Sequence, residues 1–260
     1  MEELFSFDLS FWNWLIFIVA GILTGIINTL AGSGSLITLP IFIFLCGLPA
    51  PVANGTNRIG ALIQSAVAVR SFKTSGTTSF EGAGWLVAPA VVGAIIGSQI
   101  AASLDERMMN LAIGSLMVFM LLVLLVNPKR WIQESDVDQS KLRSPLSIGI
   151  FFLIGIYGGF IQAGVGIFLL AGLVLVSGYS LAAGNGIKLL IVMAFSIPAL
   201  IIFFLHDQVH IGFGLAMAVF QSIGAWVAVK FIAHIPNANV WIHRLLIVSV
   251  AAAAIKFFIQ

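Results

Sequence analysis

The sequence predicts an all-α polytopic membrane protein, and its composition is the main reason. Hydrophobic residues make up 60% of the 260 residues and charged residues only 8%, whereas a soluble domain carries about 25% charge. Several apolar runs reach the roughly 20 residues that a helix needs to cross a bilayer. A glycine-broken segment that recurs in the second half of the chain also predicts two related halves.

Apolar runs and breakers predict about ten helical segments, five in each half. In the first transmembrane repeat, residues 1–126, they fall near 11–31, 35–48, 51–72, 83–103 and 107–126. In the second, residues 145–260, they fall near 145–163, 166–178, 181–205, 210–233 and 239–259. A polar linker, residues 127–144, joins them. The second and seventh segments are too short to span, so we expect half-helices that begin at the glycine breaks.

Basic residues predict the orientation of the chain, because cytoplasmic loops are rich in lysine and arginine. They gather at the end of the third segment, in the linker and around the ninth-to-tenth turn. All three clusters of basic residues fall on one side of the membrane if each half contributes five segments. The linker is then cytoplasmic, the acidic N-terminus lies outside, and the odd number of segments makes the two repeats inverted. We expect a multi-pass protein of the cell inner membrane.

Two positive charges stand inside the apolar segments. Arg58 follows the break at Gly32 by 26 residues (58 − 32), and Lys188 follows the break at Gly164 by 24 (188 − 164). Aligning residue 53 with residue 183 places the two cations opposite each other. A charge in a membrane span costs roughly 2.5–3.5 kcal/mol on insertion scales and marks functional sites. No Asp or Glu lies in the predicted spans, which favours a mobile anionic ligand.

An alternative for Arg58 is that it extends to the interface or pairs with a helix C-terminus. Neutral polar residues and glycines near the breaks complete the predicted site, since they can donate hydrogen bonds or let backbone N–H groups approach a ligand. Gln64 lies about 1.7 helical turns beyond Arg58 and is therefore expected off that face. The predicted substrate-binding residues are Asn28, Ser33, Gly34, Ser35, Thr56, Asn57, Arg58, Gln162, Gly164 and Lys188.

The run GIINTLAGSGSLITLP at 25–40, with GLP at 47–49 and ANGTNR at 53–58, resembles the TauE/SafE sulfite exporter family. The second half looks like that family's weaker second repeat, with GG at 158–159, GVG at 164–166 and AGNGIK at 183–188. The resemblance covers nearly the whole chain. It implies an inner-membrane carrier for sulfite, organosulfonates or related sulfur-containing anions, usually an exporter.

These features together predict a secondary transporter that works by alternating access, with a passive anion channel using the same site as the alternative. The predicted partners are a small anion and the lipid bilayer, and Gly93 and Gly97 form a face that permits a homodimer. The net charge of +2 is too small to indicate nucleic-acid binding. The sequence offers no carboxylate pair, nucleophile–base pair or metal set, so we expect neither an enzyme nor a cofactor.

Overall fold

The computed structural model describes residues 9–74, 80, 82–125, 143–231 and 238–259, and within these ranges it contains helices and turns but no strand. The helices are α1 Phe11–Ala31, α2 Ser35–Pro40, α3 Ala50–Thr74, α4 Gly84–Ala102, α5 Glu106–Leu125, α6 Pro145–Phe160, α7 Val165–Ala171, α8 Leu181–Leu205, α9 Ile211–Lys230 and α10 Ala238–Ile259. The all-α prediction is confirmed. Most of the predicted linker, residues 127–142, lies outside the described residues.

Within the part of the chain that the structure describes, five helices are long and apolar enough to cross a membrane. They are Phe11–Ala31, Gly84–Ala102, Glu106–Leu125, Ala183–Leu205 and Ile211–Lys230. Large apolar side chains cover the outside of these helices; Leu111 is 64% exposed and Val219 56%, as expected of residues that face lipid. The chain is therefore a multi-pass membrane protein.

The two short segments are present as predicted. α2 continues directly into one stretch of π-helix, Ile41–Leu45, and α7 continues into another, Gly172–Val176. Each composite helix has fewer than the roughly 17 residues that a crossing requires. α6 is shorter than the predicted 145–163, because the backbone leaves the helix at Ile161, which is extended (φ −140°, ψ 120°).

The two halves repeat the same order of local features. Gly32 and Gly164 adopt left-handed backbone (φ 74° and 72°), as do Gly47 and Gly178 after the π-helices (φ 68° and 74°). A helix of 25 residues, α3 or α8, follows in each half. The second pair of glycines and the starts of these helices share one offset in residue number (178 − 47; 181 − 50).

This common offset differs by one position from the predicted alignment of the two cations (183 − 53). It makes Lys188 correspond to Asn57 rather than to Arg58 (188 − 57). Asn54 and Asn185 are the equivalent pair (185 − 54), so each cation lies one helical turn after an equivalent asparagine. The cations therefore occupy neighbouring rather than identical positions on α3 and α8.

The halves are interlocked, because the most extensive helix contacts join one half to the other. α4 packs along α6, and its counterpart α9 packs along α1. A Cβ atom at Gly97 would collide with the carbonyl oxygen of Ile156, and one at Gly25 with that of Gln221. Glycine at these positions thus lets the helix backbones touch, as in small-residue packing between membrane helices.

The same contacts bear on the predicted homodimer face. Gly93 and Gly97 do bring two helices together, as the sequence predicted. Their partner is α6 of the same chain, since a Cβ at Gly93 would meet the carbonyl oxygen of Phe152. This face is thus filled within the monomer, and a homodimer, which stays a prediction, would need another surface.

α3 and α8 lie at the centre and run in opposite directions. Gly55, near the start of α3, touches Phe203 near the end of α8 and the Gln208 backbone in the turn that follows. α3 runs parallel to α9 instead: Thr56 contacts His210 at one end, and Phe72 shares a buried cluster with Val229 at the other. The two central helices, α3 and α8, therefore extend past the glycine breaks and reach both ends of the molecule.

Candidate functional site

The two glycine breaks meet each other in the middle of the molecule. The backbone N–H of Gly166 donates to the carbonyl oxygen of Gly32 at 3.0 Å. A Cβ at Gly32 would lie 2.5 Å from the Cα of Gly166, so neither position has room for a side chain. We call this contact between residues 32–35 and 164–166 the crossing.

Arg58 reaches from α3 to the C-terminal end of α6. Its Nη1 donates to the carbonyl oxygen of Gly158 at 2.5 Å, and its Nη2 to those of Gly159 at 2.9 Å and Phe160 at 3.4 Å. Nη2 also contacts Asn54 Oδ1 at 3.2 Å. The guanidinium lies 5.2 Å from the centre of the Phe203 ring, and the side chain is 0% exposed.

Lys188 makes the corresponding contact from α8 to the C-terminal end of α1. Its Nζ donates to the carbonyl oxygen of Thr29 at 3.1 Å and to Asn185 Oδ1 at 2.9 Å. The side chain is fully buried. Among the described residues no Asp or Glu is buried with either cation, so helix carbonyls and asparagines provide the negative ends of the dipoles around both charges.

The two contacts resemble each other, because Thr29 and Phe160, one of the three carbonyl acceptors of Arg58, are separated by the same number of residues as the later glycines (160 − 29; 178 − 47). The last carbonyl groups of a helix have no partner within it and carry the negative end of the helix dipole. Arg58 and Lys188 each satisfy this need for the broken helix of the other half. The pairing of Arg58 with a helix C-terminus, one of the two alternatives from the sequence, is present in the structure.

A chain of neutral side chains joins the crossing to α3 and α8. Asn57 Nδ2 donates to Ser35 Oγ at 3.0 Å and to Gln162 Oε1 at 3.2 Å. Gln162 Nε2 continues to Ser196 Oγ on α8 at 3.2 Å. All four side chains are buried. Three of them were predicted; Ser196 was not, although Ser65, its equivalent on α3 at the common offset, repeats the residue type.

A second set of side chains lies beside the Lys188 contact. Asn28 Nδ2 donates to Gln64 Oε1 at 2.6 Å, and Gln64 Nε2 donates to the Thr29 hydroxyl at 3.2 Å. Gln64 lies off the Arg58 face, as expected, but its side chain still enters the polar centre, where it contacts α1. α3 is buried around most of its circumference at this level, so being off that face does not remove a residue from the site.

The remaining predicted residues lie at or beyond the edge of this centre. Ser33 is buried, and among the described residues its hydroxyl donates to the carbonyl oxygen of Ala31 alone, at 3.4 Å. Gly34 directly precedes α2, and a Cβ there would lie 2.7 Å from Asn28 Cβ. Gly164 provides the left-handed turn before α7 and packs on Met120 of α5.

Thr56 is not brought into the polar centre. Its hydroxyl accepts a hydrogen bond from the backbone N–H of His210 at 2.8 Å, at the turn between α8 and α9. Thr56 precedes Arg58 by two positions, which is about 200° of helix rotation. It therefore faces the other side of α3, where it helps to fix the start of α9.

We predict that Asn57→Ala destabilises the protein by about 1–3 kcal/mol. The change removes the Asn57 amide, which donates to both Ser35 Oγ and Gln162 Oε1. These buried oxygen atoms then lack that donor. Thermal unfolding in detergent measures the effect. Gln99→Ala is the control, because it removes an exposed side-chain amide on α4. Equal melting temperatures for the two variants would show that the Asn57 contacts do not hold the crossing.

The fold and these contacts define a multi-pass helical membrane protein with two buried cations beside the crossing. The model of the sulfite exporter TauE/SafE family matches residues 17–257. The chain belongs to this family.

Curated relatives carry the name of a transporter. The chain is 26% identical to the "Probable membrane transporter protein ORF9" of Sinorhizobium sp. over 95% of its length and 93% of that protein's. It is 26% identical to the "Probable membrane transporter protein YfcA" of Escherichia coli K12 over 81% and 77% of the two lengths. A "Probable membrane transporter protein" of Haemophilus influenzae is 23% identical over 82% of each chain. No solved structure is significantly similar to the chain.

Proposed function

We propose that this protein is a secondary transporter that exports sulfite, organosulfonates or related small sulfur-containing anions by alternating access. One observation carries the proposal: two buried cations flank the contact between two broken segments, and no buried carboxylate accompanies them among the described residues. In the part of the chain that the structure describes, dipoles alone oppose the two charges, so an anion would add attraction there. Family membership and the names of the relatives support a membrane transporter.

The proposed binding mode assigns distinct tasks to the polar groups. Arg58 and Lys188 attract the anion, and Asn28, Ser33, Asn57 and Gln162 orient its oxygen atoms. Ser35 already accepts a hydrogen bond from Asn57 and contributes its hydroxyl. An oxyanion offers acceptor atoms like those of the helix carbonyls that the cations now contact, with a full negative charge in addition. Both kinds of bond have an ionised donor, and the oxyanion adds the attraction between two full charges.

An inverted repeat is the proposed basis of alternating access. Equivalent features recur at one common offset in residue number (178 − 47; 185 − 54), and the equivalent helices α3 and α8 run antiparallel. Transporters with inverted repeats bind their substrate near the midplane between the repeats. Each cation here bridges one half to the other, so a relative movement of the halves would change both contacts together.

The proposed location is the cell inner membrane, with the linker in the cytoplasm and the N-terminus outside. The positions of the basic side chains support this orientation. Lys230 lies 4.8 Å from the Trp226 ring and Arg143 4.8 Å from the Trp85 ring, as expected of pairs at a membrane interface. Because α3 runs parallel to α9, Lys73 at the end of α3 lies on the same side as Lys230.

Flux measurements on purified protein in liposomes test the proposal. We expect saturable uptake of labelled sulfite or a small organosulfonate, and faster initial uptake when the vesicles are preloaded with unlabelled anion. Arg58→Gln/Lys188→Gln should lower uptake by at least about a hundredfold, since loss of each buried charge contact costs about 1.5–3 kcal/mol. Arg70→Gln, a change at an exposed arginine of α3, should leave uptake near wild type.

The remaining outcomes separate the alternatives. Uptake without any acceleration by preloaded anion would indicate a passive channel with the same site. Uptake that the double substitution does not change would exclude the proposed site while leaving a transporter. No uptake of either anion by folded wild-type protein would contradict the proposed substrate class.

A further inference from the structure

The contacts of the two cations differ in number, and this difference suggests that the cations have different roles. Arg58 donates to three consecutive carbonyl groups at the end of α6 and to Asn54. Lys188 donates to a single helix carbonyl, that of Thr29, and to Asn185 of its own helix. Both side chains are 0% exposed.

Moving Arg58 would disrupt much of the centre. Three carbonyl groups of α6 would lose a donor, although Phe160 would keep the Asn54 amide at 2.8 Å. The Phe160 carbonyl is also only two positions from Gln162, which Asn57 holds. The contact with the Phe203 ring would be lost as well. An anion that drew Arg58 away would thus have to replace several contacts at once.

Moving Lys188 would disturb far less. Its ammonium group has three N–H donors and contacts two acceptors in the part of the chain that the structure describes. One donor therefore remains for a ligand without the loss of any existing bond. Releasing the Thr29 carbonyl would free a second donor and uncap only one helix carbonyl. Asn185 would still tether the side chain, because it lies nearly one turn earlier on α8.

We infer that Arg58 is a positioning residue that fixes the end of α6, and that Lys188 is the cation that contacts the transported anion. This inference rests on the proposed function and divides the roles within it. Among the described residues Arg58 Nε has no hydrogen-bond partner, so Arg58 can offer this one N–H and its charge to the anion while its other donors hold α6. Its main role is to hold Gln162 and the crossing in place.

Conservative and neutral substitutions at each position distinguish the roles. Arg58→Lys keeps the charge but cannot bond three carbonyl groups in one plane. We expect a lower melting temperature and a lower maximal rate of uptake, with KM changed by less than about threefold. Lys188→Gln removes the charge. We expect a melting temperature near wild type and a KM for sulfite or a small organosulfonate that rises by at least roughly tenfold.

Stabilisation by ligand provides a second readout that does not depend on turnover, because a ligand that binds the folded state raises the melting temperature. The same sulfonate should stabilise wild type and Arg58→Lys but not Lys188→Gln, and Lys188→Arg should recover part of the effect. The reverse pattern, with KM and stabilisation lost in Arg58→Lys and kept in Lys188→Gln, would overturn the inference.

Failure of the proposed function gives a different result. If neither anion is taken up by, or stabilises, folded wild-type protein, the role of Lys188 toward these anions is excluded together with that function. The melting temperatures still test Arg58 in that case. A larger loss in Arg58→Lys than in Lys188→Gln would support its positioning role, and an equal or smaller loss would contradict it.

Discussion

Replacing Gly166 by alanine is expected to impair transport strongly and to destabilise the protein. A Cβ at this position would collide with the Cα of Gly32, and it would separate the backbones that share the Gly166–Gly32 hydrogen bond. Overpacking of a tight contact typically costs about 1–3 kcal/mol. Uptake in liposomes should fall by at least about tenfold, because a shift at the crossing also moves Ser35 away from Asn57.

Alanine substitutions at two further glycines distinguish backbone strain from steric collision as the cause of this effect. Gly47 has positive φ (68°), and a Cβ there would meet nothing within 4 Å. Gly47→Ala should therefore show only the backbone strain of a left-handed residue, about 1–2 kcal/mol, and keep its uptake. Gly32→Ala combines strain with collision and should be the worst of the three. If Gly166→Ala transports at the wild-type rate, the crossing is not a tight contact in the working protein.

Replacing Gly155 by alanine is expected to separate α4 from α6. Its Cβ would collide with the Ala90 carbonyl group, whose carbon would lie 2.8 Å away. Helix backbones cannot yield as a side chain can, so we expect a loss of about 2–3 kcal/mol and less folded protein in detergent. The displaced α6 would also carry the Gly158 carbonyl away from Arg58.

Gly149, on the same helix, provides the matched control. It is exposed, and a Cβ there would meet nothing within 4 Å. Gly149→Ala should be neutral or stabilising by up to about 1 kcal/mol, because alanine favours helix. Unfolding by heat or denaturant compares the two variants. Equal stability would contradict the close packing of α4 on α6.

Local features of this fold could be predicted from the sequence, because composition and glycine spacing determine them directly. The short helices after each break follow from the length of the apolar runs. The contact through Gly93 and Gly97 follows from the spacing of two small residues. The burial of Arg58 and Lys188 follows from their place inside apolar segments.

The partners of the cations could not be predicted in the same way. Arg58 contacts Gly158, which is far away along the chain (|i−j| = 100), and nothing in the local pattern selects those carbonyl groups. The alignment of the halves stays a prediction: it used one offset (183 − 53), the later features share another (178 − 47), and the glycine breaks a third (164 − 32). The sequence alone does not show at which residues these offsets between the two halves change. Thr56 was included through its closeness to Arg58 along the chain, although helix geometry turns it away.

Thiol labelling at the crossing, with and without substrate, is the most direct test of the central claim that the anion binds there. The chain has one cysteine, Cys46, so a Cys46→Ser background permits a single thiol at Ser35→Cys. A negatively charged, water-soluble thiol reagent should label this thiol, and a saturating small organosulfonate should slow labelling by at least about tenfold. Labelling at the exposed Ser103→Cys should not change. Equal labelling of Ser35→Cys with and without the sulfonate would contradict an anion site at the crossing.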